Sequence, residues 1–112
     1  MRLGTVRRPP RGVRKSDYAK KNFYDVWLPQ LAPSAALLKE WKEISNESEF
    51  AVFERKFKRE MNAPDASKLL DFLAALSHQT ELALGCYCQE EARCHRSVLR
   101  TLLHARGADI RT

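Results

Sequence analysis

No stretch of this 112-residue chain approaches the roughly 20 consecutive apolar residues that span a bilayer, so no helical membrane segment and no membrane partner are expected. The basic N-terminal region lacks the apolar run of a signal peptide. Pro9-Pro10 and Gly12 oppose the amphipathic helix of a transit sequence. Internal repeats and low-complexity segments are missing as well. Cysteine is scarce: three residues cannot all pair within one chain. Cys86 and Cys88 would bridge poorly on a strand, where Cα atoms two residues apart stand roughly 6.6–6.8 Å from one another. These absences predict reduced thiols and a cytoplasmic protein. Acidic residues are nearly absent from residues 1–24, where Asp17 alone faces Arg2, Arg7, Arg8, Arg11, Arg14, Lys15, Lys20 and Lys21. The whole chain carries +6, so this segment at +7 leaves the rest at −1. Such asymmetry points to an anionic partner, be it a phosphate, a nucleotide or nucleic acid, or else to a solvated basic arm with no specific partner.

What is present suffices for one core: hydrophobic residues make up 44%, ten aromatics among them, and the length suits a single domain over 1–112. Arg2 to Val6 reads as a first strand, and Pro9 to Gly12 as a rigid loop. Residues 13–22 are polar and basic, with room for one helical turn near Ser16 to Lys20. Phe23 to Leu28, closed by Pro29, reads as a short extended segment. Ala32-Pro33-Ser34 opens a helix carrying Leu37, Leu38, Trp41 and Ile44 at helical spacing. Asn46 or Ser48 caps a second, with Phe50, Phe53, Phe57 and Met61. Asp65 is expected to cap a third, with Leu69, Leu70, Leu73 and Leu76. Thr80 to Cys88 is apolar on both faces and reads as a central strand covered on both sides. After a polar loop from Gln89 to Arg93, a last helix buries Val98, Leu99, Leu102 and Leu103 and stops at Gly107. The expected fold is α/β: a small single-domain layer with a short, mostly parallel sheet packed by about four helices. Residues 80–106 form its strand–loop–helix unit.

That unit carries the chemistry. Ligands of open α/β sheets settle where a strand's C-terminal end hands over to a helix N-terminus, and such a terminus attracts anions. Cys94 stands at the helix start beside His95 and Arg96, a setting that favours a reactive thiolate. His95 can act as general acid or base, and Arg96 supplies bidentate phosphate geometry. Cys94 to Arg100 also fits Cys-x5-Arg, the phosphotyrosine-phosphatase pattern. That motif needs a phosphate-cradling loop, whereas His95 to Leu99 continue a helical stripe without a glycine. Cys86, Cys88, Cys94 and His95 are the right number of ligands for structural zinc. Their spacing is unusual, however, and neighbours on a helix diverge by about 100°, so no metal and no other cofactor are expected. The bland alternative is a half-buried cysteine beside a helix-capping histidine.

Two groups of residues add a resemblance. Arg7-Arg8-Pro9-Pro10-Arg11-Gly12, Asp25-Val26-Trp27-Leu28 and Leu31-Ala32-Pro33-Ser34 form the first half. Phe53, Phe57, Glu60-Met61, Cys86, Cys94-His95-Arg96 and Leu99 form the second. With these the chain resembles the YeaO-like proteins of the domain-of-unknown-function 488 group over nearly its whole length. The resemblance implies a compact α/β fold and brings no established activity. It implies Arg7, Arg11, Asp25, His95 and Arg96 as site residues, since these fall on motif positions.

Two readings follow from the residues and the resemblance together. In the first, Arg7, Arg11 and Arg96 bind an anion at the last helix, a nucleotide or other phosphorylated small molecule. If a reaction follows, Cys94 is the nucleophile and His95 or Asp25 moves the proton; Asp25 is alternatively an ion-pair partner of one of those arginines. In the second, residues 1–24 bind nucleic acid weakly and without catalysis. A purely structural protein with an inert thiol core is the remaining alternative. Whether the chain is an enzyme, and its oligomeric state, are not legible.

Overall fold

A computed structural model describes residues 1–7, 14, 16, 24–85 and 94–110. Its strands are short: β1 (Arg2–Gly4), β2 (Val26–Trp27) and β3 (Ala83–Gly85). All pair in parallel in the order β2-β1-β3. Leu3 stands opposite both Val26 and Leu84 in register. Strand alternation therefore puts these three side chains on one face, with Thr5 two residues on. Four α-helices are described: α1 (Ala35–Lys42), α2 (Glu47–Glu60), α3 (Pro64–Leu76) and α4 (His95–Ala105). They close over the Leu3 face, where Leu37, Phe53, Phe57, Leu70, Leu73, Val98 and Leu99 share one core with it. The α/β expectation is thus met.

The sheet corrects two expectations from sequence. β1 lies in the middle and β3 beside it at the edge of the described sheet, so the segment around residues 83–85 is not the central strand. Its apolar pattern has another cause: Leu82 and Leu84 pack against the helical core, while the alternate positions are the small Ala83 and Gly85. Cys86 and Cys88 lie outside the described residues, as do the predicted loops from Pro9 to Gly12 and from Gln89 to Arg93. β1 also stops at Gly4, short of Val6. There the chain leaves the ladder, and Val6 joins Tyr24 and Trp27 in a second small cluster. Tyr24 explains Gly4, because a Cβ at that position would overlap the Tyr24 ring. Gly4→Ala is expected to cost about 1–3 kcal/mol or more through overpacking. A denaturant midpoint unchanged from wild type would contradict this contact.

Helix ends are set by local chemistry. Ser34 caps α1, its Oγ accepting from Leu37 N at 3.2 Å, and Asn46 caps α2 through Glu49 N at 2.8 Å. The Glu49 carboxylate answers by accepting from Asn46 Nδ2 at 2.8 Å, a reciprocal cap. Asp65 does not cap α3. The helix begins one residue earlier at Pro64 with Ala63 as N-cap, since proline at the first position forfeits no hydrogen bond. Gly107 ends α4 with φ +84°. Its N–H reaches His104 O and that of Ala108 reaches Leu103 O, each at 3.0 Å, which satisfies the last carbonyls of the helix. The tail then docks on the end of α3: Asp109 N donates to Ser77 Oγ at 2.9 Å, and His78 Nε2 lies 2.8 Å from Gly107 O.

Candidate functional site

α4 starts beside the C-terminal ends of β1 and β3, and its first residue points inward. His95 is 6% exposed and Cys94 fully buried. The His95 Nε2 lies 2.6 Å from the carbonyl oxygen of Thr5 and 3.0 Å from Thr5 Oγ1. A carbonyl oxygen only accepts, so Nε2 carries the hydrogen. Thr5 Oγ1 agrees, since its own hydrogen goes to Gly85 O at 3.1 Å and leaves a lone pair toward the ring. In the neutral ring the lone pair then sits on Nδ1, and Nδ1 lies 3.6 Å from Cys94 Sγ. Phe57 packs against the ring as well, its ring centroid 5.7 Å from that of His95 and nearly perpendicular to it. Phe57 is itself held by Phe53, and Phe53 by Phe50, in a stack along α2.

The sequence-based argument that Cys94 and His95 must diverge by a helical step is overturned here. Cys94 is the N-cap of α4, with φ −104° and ψ 151°. Its extended backbone swings Sγ back over the imidazole, which a residue inside the helix cannot do. Its side chain makes no capping bond. Ser97, in the first turn, donates from Oγ back to Cys94 O at 2.8 Å.

The other expected site residues go elsewhere. Arg7 is half-buried and donates from Nε to Pro33 O at 2.9 Å and from a terminal nitrogen to Ala32 O at 3.0 Å. From the other side the Glu60 carboxylate accepts from Ser34 N at 2.9 Å and from Ser34 Oγ. Arg7 and Glu60 thus clamp the Ala32-Pro33-Ser34 turn that launches α1. Arg96 lines a cleft beside β3 of which Arg7 is not part. Arg11 lies outside the described residues.

Asp25 stands at the opposite ends of the strands and accepts from Arg2 N at 2.7 Å, with the Arg2 guanidinium 3.7 Å away. Among the described residues its partner is Arg2, and neither Arg7 nor Arg96. The Arg2 N–H above all holds its carboxyl below the ordinary value. The Arg2 charge and the terminal amine add to this, outweighing some desolvation in the other direction. A depressed folded value stabilises the fold above the unfolded value and is lost as pH falls through the folded one. The Asp25 contribution should therefore be intact at neutral pH and fade in acid, from about pH 4 downward. Asp25→Asn should flatten the acid limb of a stability–pH curve. An unchanged limb would mean the pair contributes nothing.

Thr5 is the functional neighbour that the sequence concealed. It reads there only as a strand former, and its partner His95 is 90 residues away. A family model, DUF488-N3a, described as "Active DUF488-N3 subclade", matches residues 1–107. No curated protein and no solved structure matches the chain.

Proposed function

The chain belongs to the DUF488-N3a family, and we propose that it is an α/β enzyme that uses Cys94 as nucleophile and His95 as base. Its substrate is anionic, a nucleotide or another phosphorylated small molecule, seated against the start of α4. The carrying observation is the 2.6 Å contact between His95 Nε2 and Thr5 O. It commits the ring to one tautomer and turns the basic nitrogen toward the thiol. A nucleophile, a base within reach and a third group orienting that base are the three parts of covalent catalysis by a thiol. In the proposed step the Cys94 proton passes to Nδ1, and the thiolate attacks the electrophilic centre of the substrate. The imidazolium is steadied by Thr5 and then protonates the leaving group. The positive end of the α4 dipole favours both the thiolate and the substrate's charge. The word "active" in the family's description supports a reaction over a purely structural role. Asp25, bound to Arg2 at the far ends of the strands, takes no part in this step.

The test is thiol labelling by a small reagent, followed for each cysteine by peptide mass spectrometry at pH 7. Cys94 should react in the native protein, and inorganic phosphate should slow it. Labelling of Cys94 only in denaturant would remove the proposal and leave the inert-core reading.

A second reading has its own observation. Lys39 and Lys42 of α1 line a small hollow of about 250 Å³ together with Arg7, bringing three cations together in a chain whose residues 1–24 carry +7 by sequence. This favours weak, sequence-independent binding of nucleic acid. Affinity for duplex DNA should then fall with salt by a log–log slope of about −0.9 per neutralised phosphate. No binding even at low salt would exclude it.

A further inference from the structure

A cleft away from Cys94 lies between the outer side of β3 and α4. It measures about 870 Å³, within the usual range of small-molecule pockets. Its floor is apolar, with Leu3, Leu73, Leu82, Leu84 and Leu103 all lining it.

The charges around that floor are sorted by the course of the chain. α4 starts where β1 and β3 end, with His95 on Thr5, and finishes near the start of β3, where the tail docks on Ser77 and His78. Arg96 and Arg100, one helical turn apart on α4, therefore flank the end of the cleft nearer the C-termini of the strands. Glu81 and Asp109 lie at the other end, together with Arg2 and the terminal amine of Met1, which donates to Glu81 O at 2.7 Å, so charges of both signs meet there. Both arginines also take part in other contacts of the chain. Five N–H donors on each guanidinium leave capacity for a further acceptor.

We propose that this cleft is a binding site for an amphipathic anion, a small molecule with an apolar body and a carboxylate or phosphate head. The body covers the leucine floor, and the head sits between Arg96 and Arg100. Guanidinium groups pair with both kinds of head in bidentate fashion, and an apolar wall strengthens the pairing by excluding water.

Titration calorimetry with octanoate and with octyl phosphate, both below their micelle concentrations, tests this, with octanol, octylamine and inorganic phosphate as comparisons. Saturable binding of an octyl anion is expected, with the body-only and head-only probes at least about tenfold weaker. Binding of octanoate alone would assign a carboxylate, and of octyl phosphate alone a phosphate. Amide shifts should move at Leu82, Leu84, Arg100 and Ile110. Arg100→Gln should weaken binding about tenfold or more by removing one charge-assisted partner. Should that variant fail to fold, the amide shifts of the wild type still locate the ligand. Octanol or octylamine binding as well as octanoate would overturn the proposal. So would inorganic phosphate moving the same cleft amides with equal affinity, octyl-anion shifts confined to other residues, or an Arg100→Gln protein that binds normally. None of these readings involves the Cys94 thiol, so the cleft and the proposed reaction stand or fall separately.

Discussion

Phe57→Ala should destabilise the protein by about 3–5 kcal/mol, the cost of emptying a large aromatic site in a core. Phe57 is fully buried and lies in the common core of α2, α4 and the sheet. Its ring lies against His95, so the cavity would open directly against the imidazole. For a domain of this size each kcal/mol lowers Tm by about 4 °C, which predicts a fall of roughly 10–20 °C. Phe57→Leu leaves a smaller gap and should cost about 1–2 kcal/mol. Equal and small losses for both variants, measured by urea unfolding, would mean that Phe57 is not the wedge between α2 and α4.

The same residue shows what the sequence could and could not tell. Phe50, Phe53, Phe57 and Met61 recur at helical spacing, so their helix and its buried side were readable. The sequence does not say that the far end of this stripe touches a histidine 38 positions later. Caps were readable for the same reason of locality: Ser34, Asn46 and Gly107 act on residues within four positions. Asp65 misled because two cap signals compete there, and proline at the first helical position prevails over a carboxylate one residue later.

β3 misled through composition. Continuous apolar residues mark a strand covered on both faces, yet Ala83 and Gly85 are apolar only in being small, and Ala83 is exposed. Arg7 has a structural use that charge alone does not announce: its guanidinium holds backbone carbonyls of the turn before α1. Cys94 and His95 were picked out by sequence because the strand-to-helix junction is a local feature. Their approach to 3.6 Å depends on the extended N-cap backbone, which spacing alone does not specify.

The second large effect is expected at that pair. In the proposed reaction His95 takes the Cys94 proton, so His95→Gln should slow native labelling of Cys94 by about tenfold to a hundredfold near neutral pH, at the low end of what a positioned base contributes. Glutamine keeps a polar group able to donate to Thr5 O and so spares the fold more than alanine would. Burial complicates the rate alone: Cys94 is fully covered, and reagent enters only as the structure opens. Opening scales the rate without moving its pH dependence, so the labelling profile against pH separates the two. The rise in rate should shift to more alkaline pH in His95→Gln, while a change in opening would leave the profile in place. A direct check is the nitrogen NMR of the His95 ring, in which Nε2 should carry the hydrogen and Nδ1 the lone pair, as the contacts with Thr5 require. A hydrogen found on Nδ1 of the neutral ring would remove the base from the thiol. So would matching pH profiles for His95→Gln and wild type. Either result would leave His95 as a buried tie between α4 and β1, with no part in chemistry.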